Sequence, residues 1–399
     1  MRTLLVWIGL GILLFAVSEA EYRDAEMEKF HTDIAGYTSA IRADPNNPKL
    51  YFERANAYAD AGDNAKAIAD FTAAVVLDPN YAAAYFNRAN SYRNIGDDLE
   101  AIVNYSEVIR IDPNYAAAYF NRANSYNALA EYQKALDDLT AAIKIDPRNT
   151  KAYINRGNIY AEANEHKKAI ADYGEAIKIN PDLAQAYNNR GYSYAESGDN
   201  AKAIADYGEA IRLDPYLVKA YGNRGSSYAD MREYTKAISD FSTAVMIEPR
   251  YVNAYINRGH SYYELGNYQS AIDDFSVAIN LDKSSAESYN LRAQAYAGLG
   301  KNRSAIKDLT EAIRINPNFA KAYFNRGSIY ADQDRYEKAI SDYTEAIRIN
   351  PNYTGAYAKR GYLIFKRGDY DRAVKDAYTA CALGDCELDT LIRRSNRSK

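Results

Sequence analysis

The stretch Ala-Ala-Ala-Tyr-Phe-Asn-Arg-Ala-Asn-Ser-Tyr stands at Ala82–Tyr92 and again, unchanged, at Ala116–Tyr126, an offset of 34 residues. Followed outward, the same period organises ten successive copies, which begin at Pro48, Ala82, Ala116, Thr150, Ala184, Val218, Val252, Ala286, Ala320 and Thr354 and end at Glu387. A segment this short cannot bury its own apolar face, so each copy must pack on its neighbours. The architecture is therefore an extended array with long surfaces, and the chemistry to look for is recognition along them.

Numbering each copy from its first residue gives every position a physical role. Position 4 is Tyr in all ten copies, position 11 is Tyr in nine with Ile364 in the last, and position 8 is always Ala or Gly. At about 100° per residue these three share one side of a helix, helix A, which runs from about position 2 to position 14. Gly62, Gly96, Gly198, Gly266, Gly300 and Gly368 occupy position 15, where a helix C-terminus favours the left-handed conformation. Helix B follows, with Ala at position 20 in every copy, Ala at position 27 in nine, and Phe, Tyr or Leu at most positions 24. Small residues let the two helices approach and the aromatic rings fill the rest. Proline at position 32, in eight of the nine copies that lead into another, stops helix B.

Taken together, these positions resemble the tetratricopeptide repeat family over residues 48–387, without insertions. Tyr replaces the family's Trp at position 4 and Arg its Leu at position 7, which marks a Tyr-rich, Asn-Arg-Gly subclass. The resemblance implies an all-α fold, a right-handed superhelical solenoid of helix-turn-helix repeats. Residues 21–47 read as an N-terminal helix and half repeat, carried by Tyr37, Ala40, Ile41 and Pro45. Residues 388–399 read as a capping helix (Leu388, Leu391, Ile392) and a basic tail, disordered from Arg393 to Lys399.

The chain ends carry their own signals. Residues 1–20 combine Arg2, an apolar run from Leu4 to Val17 and small residues at Ser18 and Ala20, the pattern of a cleaved export signal. Its run is shorter than a full membrane span of about 20 residues, so an uncleaved anchor is the alternative. An exported chain permits a disulfide between Cys381 and Cys386 at the end of the last helix; the alternative is a small core residue at Cys381. Of the four Asn-X-Ser/Thr sequons, the one at Asn104 falls inside helix B, where a glycan would be awkward, which favours a bacterial periplasm over a eukaryotic secretory route.

Composition narrows the function. Lys and Arg number 49 against 53 Asp and Glu, a balance that argues against nucleic acid as a partner. Most of the 39 tyrosines belong to the repeat core rather than to a stacking surface. The three histidines, His31, His166 and His260, have no ligand-spaced neighbours, and no nucleophile elbow, phosphate loop or carboxylate pair stands out. No enzymatic activity, metal or cofactor is expected.

Helix A has a second face, formed by positions 2, 6, 9 and 13, which lines the concave groove of tetratricopeptide arrays. Position 6 is Asn at Asn87, Asn121, Asn155, Asn189, Asn223, Asn257 and Asn325, and position 9 adds Asn56, Asn90, Asn124 and Asn158, with Tyr192, His260 and Tyr362 elsewhere at that position. An Asn amide both donates and accepts, so such a row can pair with the backbone of an extended peptide whatever its sequence. The row is similar to the asparagine ladder in the repeat superhelix of O-linked N-acetylglucosamine transferase, whose transferase domain is missing here. Position 13 is acidic in six copies and position 2 is Lys in four, giving the groove edges of opposite sign. Phe52, Phe86, Phe120 and Phe324 at position 5 either supply apolar subsites or pack between repeats. No position 5 is Lys and no position 6 is Arg, so the clamp that holds chaperone carboxylates is absent.

Position 7 is Arg throughout and position 23 is Asp except at Asn104. Near the helix interface these predict structural ion pairs from Arg88, Arg122, Arg156, Arg190, Arg224 and Arg258 to residues such as Asp138, Asp172, Asp206 and Asp240. The expected function is a non-enzymatic scaffold that binds extended polypeptide and assembles a periplasmic, envelope or secreted complex. The alternatives are a carbohydrate or cell-wall binder and a self-associating spacer.

Overall fold

The computed structural model describes residues 30–397. The expected export signal lies outside the described residues. Among the described residues every regular element is a helix, and the chain divides into two compact units, Met1–Ser193 and Tyr194–Lys399. In the first unit a helix over 30–43 precedes helix A segments at Pro48–Asp60, Ala82–Asn94, Ala116–Ala128 and Thr150–Glu162. These alternate with helix B segments at Asn64–Leu77, Asp98–Ile111, Tyr132–Ile145 and His166–Ile179. The second unit repeats the alternation from Asn200–Leu213 to Tyr370–Ala382. Both are stacks of antiparallel helix pairs.

The turn between helices A and B has one geometry throughout. Position 15 is left-handed at Gly62 (φ 81°) and at the other expected glycines, and equally at Ala130 (58°), Asn164 (59°), Arg232 (60°) and Asp334 (56°). Four non-glycine residues thus accept an unfavourable φ because the flanking helices fix the turn.

Ala at positions 20 and 27 is fully buried, as are Phe71, Tyr105, Leu139 and Tyr173 at position 24 in the first unit. Helices approach so closely that a Cβ on Gly157 would lie 2.8 Å from Cε1 of Tyr173. Burial pushes the Tyr173 phenol up, so it stays a neutral hydrogen-bond donor. The tyrosines at positions 4 and 11 are half-buried rather than core. Their rings instead carry cations: Arg156 lies over Tyr153 at 5.8 Å and Lys168 over Tyr160 at 5.0 Å. The position 5 rings settle as packing, since Phe52 meets Tyr81 at 4.9 Å and Phe86 meets Tyr115 at 5.1 Å between ring centres.

The position 7 arginines form the expected pairs and one contact more. Arg156 donates Nε and Nη2 to the two oxygens of Asp172, at 2.8 and 2.7 Å, and Nη1 to Thr140 Oγ1 of the preceding helix B at 3.0 Å. Where that preceding helix B carries Ser or Thr, the guanidinium ties three helices. Arg54–Asp70 and Arg122–Asp138 repeat the fork in the first unit, and Arg224–Asp240, Arg258–Asp274, Arg292–Asp308, Arg326–Asp342 and Arg360–Asp376 in the second. The hydroxyl partner was missed because Gly174 and Gly208 interrupt its column. Arg190 and Asp206 belong to different units. Arg88 corrects the expectation: its partner is the amide of Asn104, reached by Nε at 2.6 Å, so no ion pair exists there. Asn104 is 1% exposed, which closes that sequon in the folded chain.

Cys381 and Cys386 are joined by a disulfide across the turn that follows the last repeat. The capping helix runs Glu387–Arg397 and buries Leu388 and Ile392 against Ile364, Ala373 and Ala377. The tail expected to be disordered from Arg393 is therefore helical to Arg397. An Asp389–Arg393 pair of 2.7 Å, one helical turn apart, joins those apolar anchors in holding it.

Candidate functional site

In the first unit the asparagines at positions 6 and 9 meet across repeat boundaries. Asn87 Nδ2 donates to Asn56 Oδ1 at 2.8 Å, Asn121 to Asn90 at 3.3 Å, Asn155 to Asn124 at 2.8 Å and Asn189 to Asn158 at 3.0 Å. The position 9 oxygen takes a second bond from the core, from the Tyr105 hydroxyl at Asn90 (2.6 Å) and from Tyr173 at Asn158 (2.8 Å). An amide oxygen with two donors is saturated.

This revises the expected role of the row. The position 6 amides spend a donor inside the protein, and that bond sets which way each amide points. Asn87, Asn121 and Asn155 keep Oδ1 as an acceptor, while Asn90, Asn124 and Asn158 keep Nδ2 as a donor. Asn189 is different, because its Oδ1 already accepts from Gln185 at 2.7 Å and from Asn188 at 3.2 Å. A cleft of about 150 Å³ opens on this face, lined by Asn124, Asn127, Asn155, Asn158 and Glu162 above Leu139 and Ile159.

The second unit does not continue the row evenly. Asn257 reaches Ser226 Oγ at 3.4 Å, and Asn325 reaches Asn290, a position 5 residue, at 2.8 Å because Leu291 and Gln294 stand where the ladder residues would be. Asn223 occupies the same position on Val218–Asp230. His260 is half exposed with Nε2 3.8 Å from Glu264 Oε1. Tyr192, in the first unit, is 45% exposed and meets the His166 ring edge-on at 6.4 Å. Tyr362 is also 45% exposed and borders a cleft with Lys359, Lys366 and Tyr336.

The pairing signal was present in the sequence as two Asn columns that fall 31 residues apart, a repeat less three. Among the described residues no helix is long and apolar enough to cross a membrane, and no three His, Cys, Asp or Glu side chains converge as a metal site.

Comparison with known proteins bears on the whole array. Solved structures similar to this chain include MamA, 27% identical over 41% of this chain and 96% of that one with a TM-score of 0.40. A tetratricopeptide repeat protein from Parabacteroides merdae is 23% identical over 62% of this chain and 98% of its own, with a TM-score of 0.49. Yeast Tom70 is 17% identical over 93% of each chain, with a TM-score of 0.46. Comparison with curated proteins returns no match. Models described as tetratricopeptide repeat match residues 37–69, 116–149, 184–217, 218–251 and 320–353, and one described as TPR repeat matches 55–96, 89–130, 157–198, 259–300 and 298–334. Together they cover most of the array, and the chain belongs to the tetratricopeptide repeat family.

Proposed function

We propose that this protein is a non-enzymatic interaction scaffold whose Asn-lined helix A face binds extended polypeptide through its backbone, exported from the cytoplasm to assemble an envelope or secreted complex. The observation that carries the reading is the run of four consecutive Asn–Asn bonds from Asn56 to Asn189. It orients the amides so that acceptors at Asn87, Asn121 and Asn155 alternate with donors at Asn90, Asn124 and Asn158. An extended chain presents N–H and C=O groups in alternation, the complement of such a row. Preset amides lose little freedom on binding, which favours affinity without side-chain contacts.

The test is a crosslinking pull-down from envelope extracts followed by mass spectrometry, with the wild-type chain and with Asn87→Ala, Asn121→Ala and Asn155→Ala combined. Captured polypeptide should fall about tenfold, the effect of roughly 1.4 kcal/mol, while the helical signal persists. Capture that is unchanged would sink the backbone reading. Retention only on glycan beads would favour carbohydrate binding through Tyr192, His260 and Tyr362. The same material tests export, since the reading expects a mature chain beginning at Glu21; Met1 retained in the membrane fraction would mean an anchor instead.

A further inference from the structure

In the second unit the groove face carries a cavity beside the repeat that begins at Val218. In three repeats a core hydroxyl reaches the position 9 side chain: Tyr105 donates to Asn90 at 2.6 Å, Tyr173 to Asn158 at 2.8 Å and Tyr343 to Ser328 at 3.2 Å. In the repeat beginning at Val218 both partners shrink. Position 24 is Phe241, without a hydroxyl, and position 9 is Ser226, whose Oγ turns back to the Gly222 carbonyl at 3.0 Å. A cavity of about 320 Å³ lies beside this pair, lined by Ser226, Asp230, Tyr234, Phe241, Asn257 and His260.

Its lining is rich in acceptors. Asp230 lines it, and among the described residues no Lys or Arg pairs with that carboxylate. Asn257 directs its Nδ2 to Ser226 at 3.4 Å, which leaves Oδ1 to accept. Glu264 adds a carboxylate 3.8 Å from the His260 Nε2. Tyr234 adds an aromatic ring, which attracts a cation, and Phe241, fully buried, closes the floor. A carboxylate, an amide oxygen and an aromatic ring suit a flat group with many N–H donors and a positive charge, and disfavour an anion.

We propose that this cavity is a side-chain subsite for a cationic residue of the bound polypeptide, an arginine in particular. The inference rests on the polypeptide-binding reading but is testable without it. N-acetyl-L-arginine N-methylamide and its uncharged citrulline counterpart are titrated into the full chain while the His260 imidazole is followed by NMR, assigned by its loss in His260→Gln. The arginine probe should give a saturable shift at least about tenfold tighter than the citrulline probe, as a charge-assisted contact implies. Asp230→Asn should erase that preference. Ser226→Trp, at a position that already carries large rings at Tyr192 and Tyr362, should fill much of the cavity and remove the shift without disturbing the fold.

Equal response to the two probes, no response to either, or a shift that survives the filled variant overturns the subsite. The triple Asn variant of the first unit should leave the probe's affinity unchanged. A probe that binds a chain unable to capture polypeptide would uphold the cavity and defeat the groove. Polypeptide capture with no probe response would do the reverse.

Discussion

Replacing Arg156 with Met should destabilise the repeat that begins at Thr150 by about 3–5 kcal/mol, the usual cost of stranding a buried partner of an ion pair. Asp172 is 6% exposed and receives two of the three guanidinium bonds, so its carboxylate would be left without a counter-charge in a site that water hardly reaches. The third bond, to Thr140, would go as well and loosen the junction with the preceding repeat. The Asp172 hydrogen bonds raise the Arg156 pKa above its ordinary value, so the cation is permanent in the wild-type chain. Urea unfolding gives the size of the effect, and amide hydrogen exchange should localise it to Thr150–Ile179, because repeats couple to nearest neighbours. Removing both charges, as Arg156→Met with Asp172→Leu, should recover most of it. Lys168→Ala, which breaks an exposed pair with Glu165, should leave the unfolding midpoint almost unchanged. A loss at Arg156 no larger than the Lys168 loss would remove the fork from the account of what holds the repeats in register.

Asn104→Asp should do the opposite and raise stability by about 1.5–3 kcal/mol, the range for a hydrogen bond to a charged group. Arg88 already donates to Asn104 Oδ1 and to Thr72 Oγ1, so the geometry of the fork is in place without its carboxylate. Burial without a counter-charge lowers the Arg88 pKa, where the same position in the repeat beginning at Thr150 is raised. One cost opposes the gain: Asn104 Nδ2 donates to the Glu100 carbonyl at 2.7 Å, and an Asp would present an oxygen there. In the repeat beginning at Ala116, Asp138 occupies the same place 6% exposed and paired to Arg122, which shows that the site accommodates a carboxylate. The unfolding midpoint should rise with an unchanged denaturant slope. A lower midpoint would mean that the Glu100 contact outweighs the ion pair.

These arginines also show what a repeat lets one read. Two columns of opposite charge 16 residues apart, both near a helix interface, announced the Arg–Asp pairs before any coordinates. The third contact was hidden because its column mixes Ser, Thr, Gly174, Gly208 and Tyr378, and a column earns attention only when it is uniform. The left-handed turn was legible at the six glycines, but its presence at Ala130 and Arg232 was not, because there the flanking helices fix it rather than the residue. Tyrosine was over-read as core: at positions 4 and 11 the ring supports a cation at the edge of the stack, and the fully buried rings are those of position 24. The asparagines were read as a binding row. Sequence could not say that their donors turn inward, because that depends on how closely adjacent repeats approach.

That inward turn is the centre of the account, since it makes the Asn row both a seam between repeats and a preset series of acceptors and donors. The most direct measurement is the affinity of the full chain for a short extended Gly/Ala/Ser peptide and for the same peptide N-methylated at alternate residues, read by fluorescence anisotropy. Backbone recognition predicts that the plain peptide binds, that reordering its residues changes little, and that methylation weakens it about tenfold or more, each blocked N–H costing roughly 0.5–1.5 kcal/mol. Equal binding of the methylated peptide, or no binding of the plain one, would contradict it.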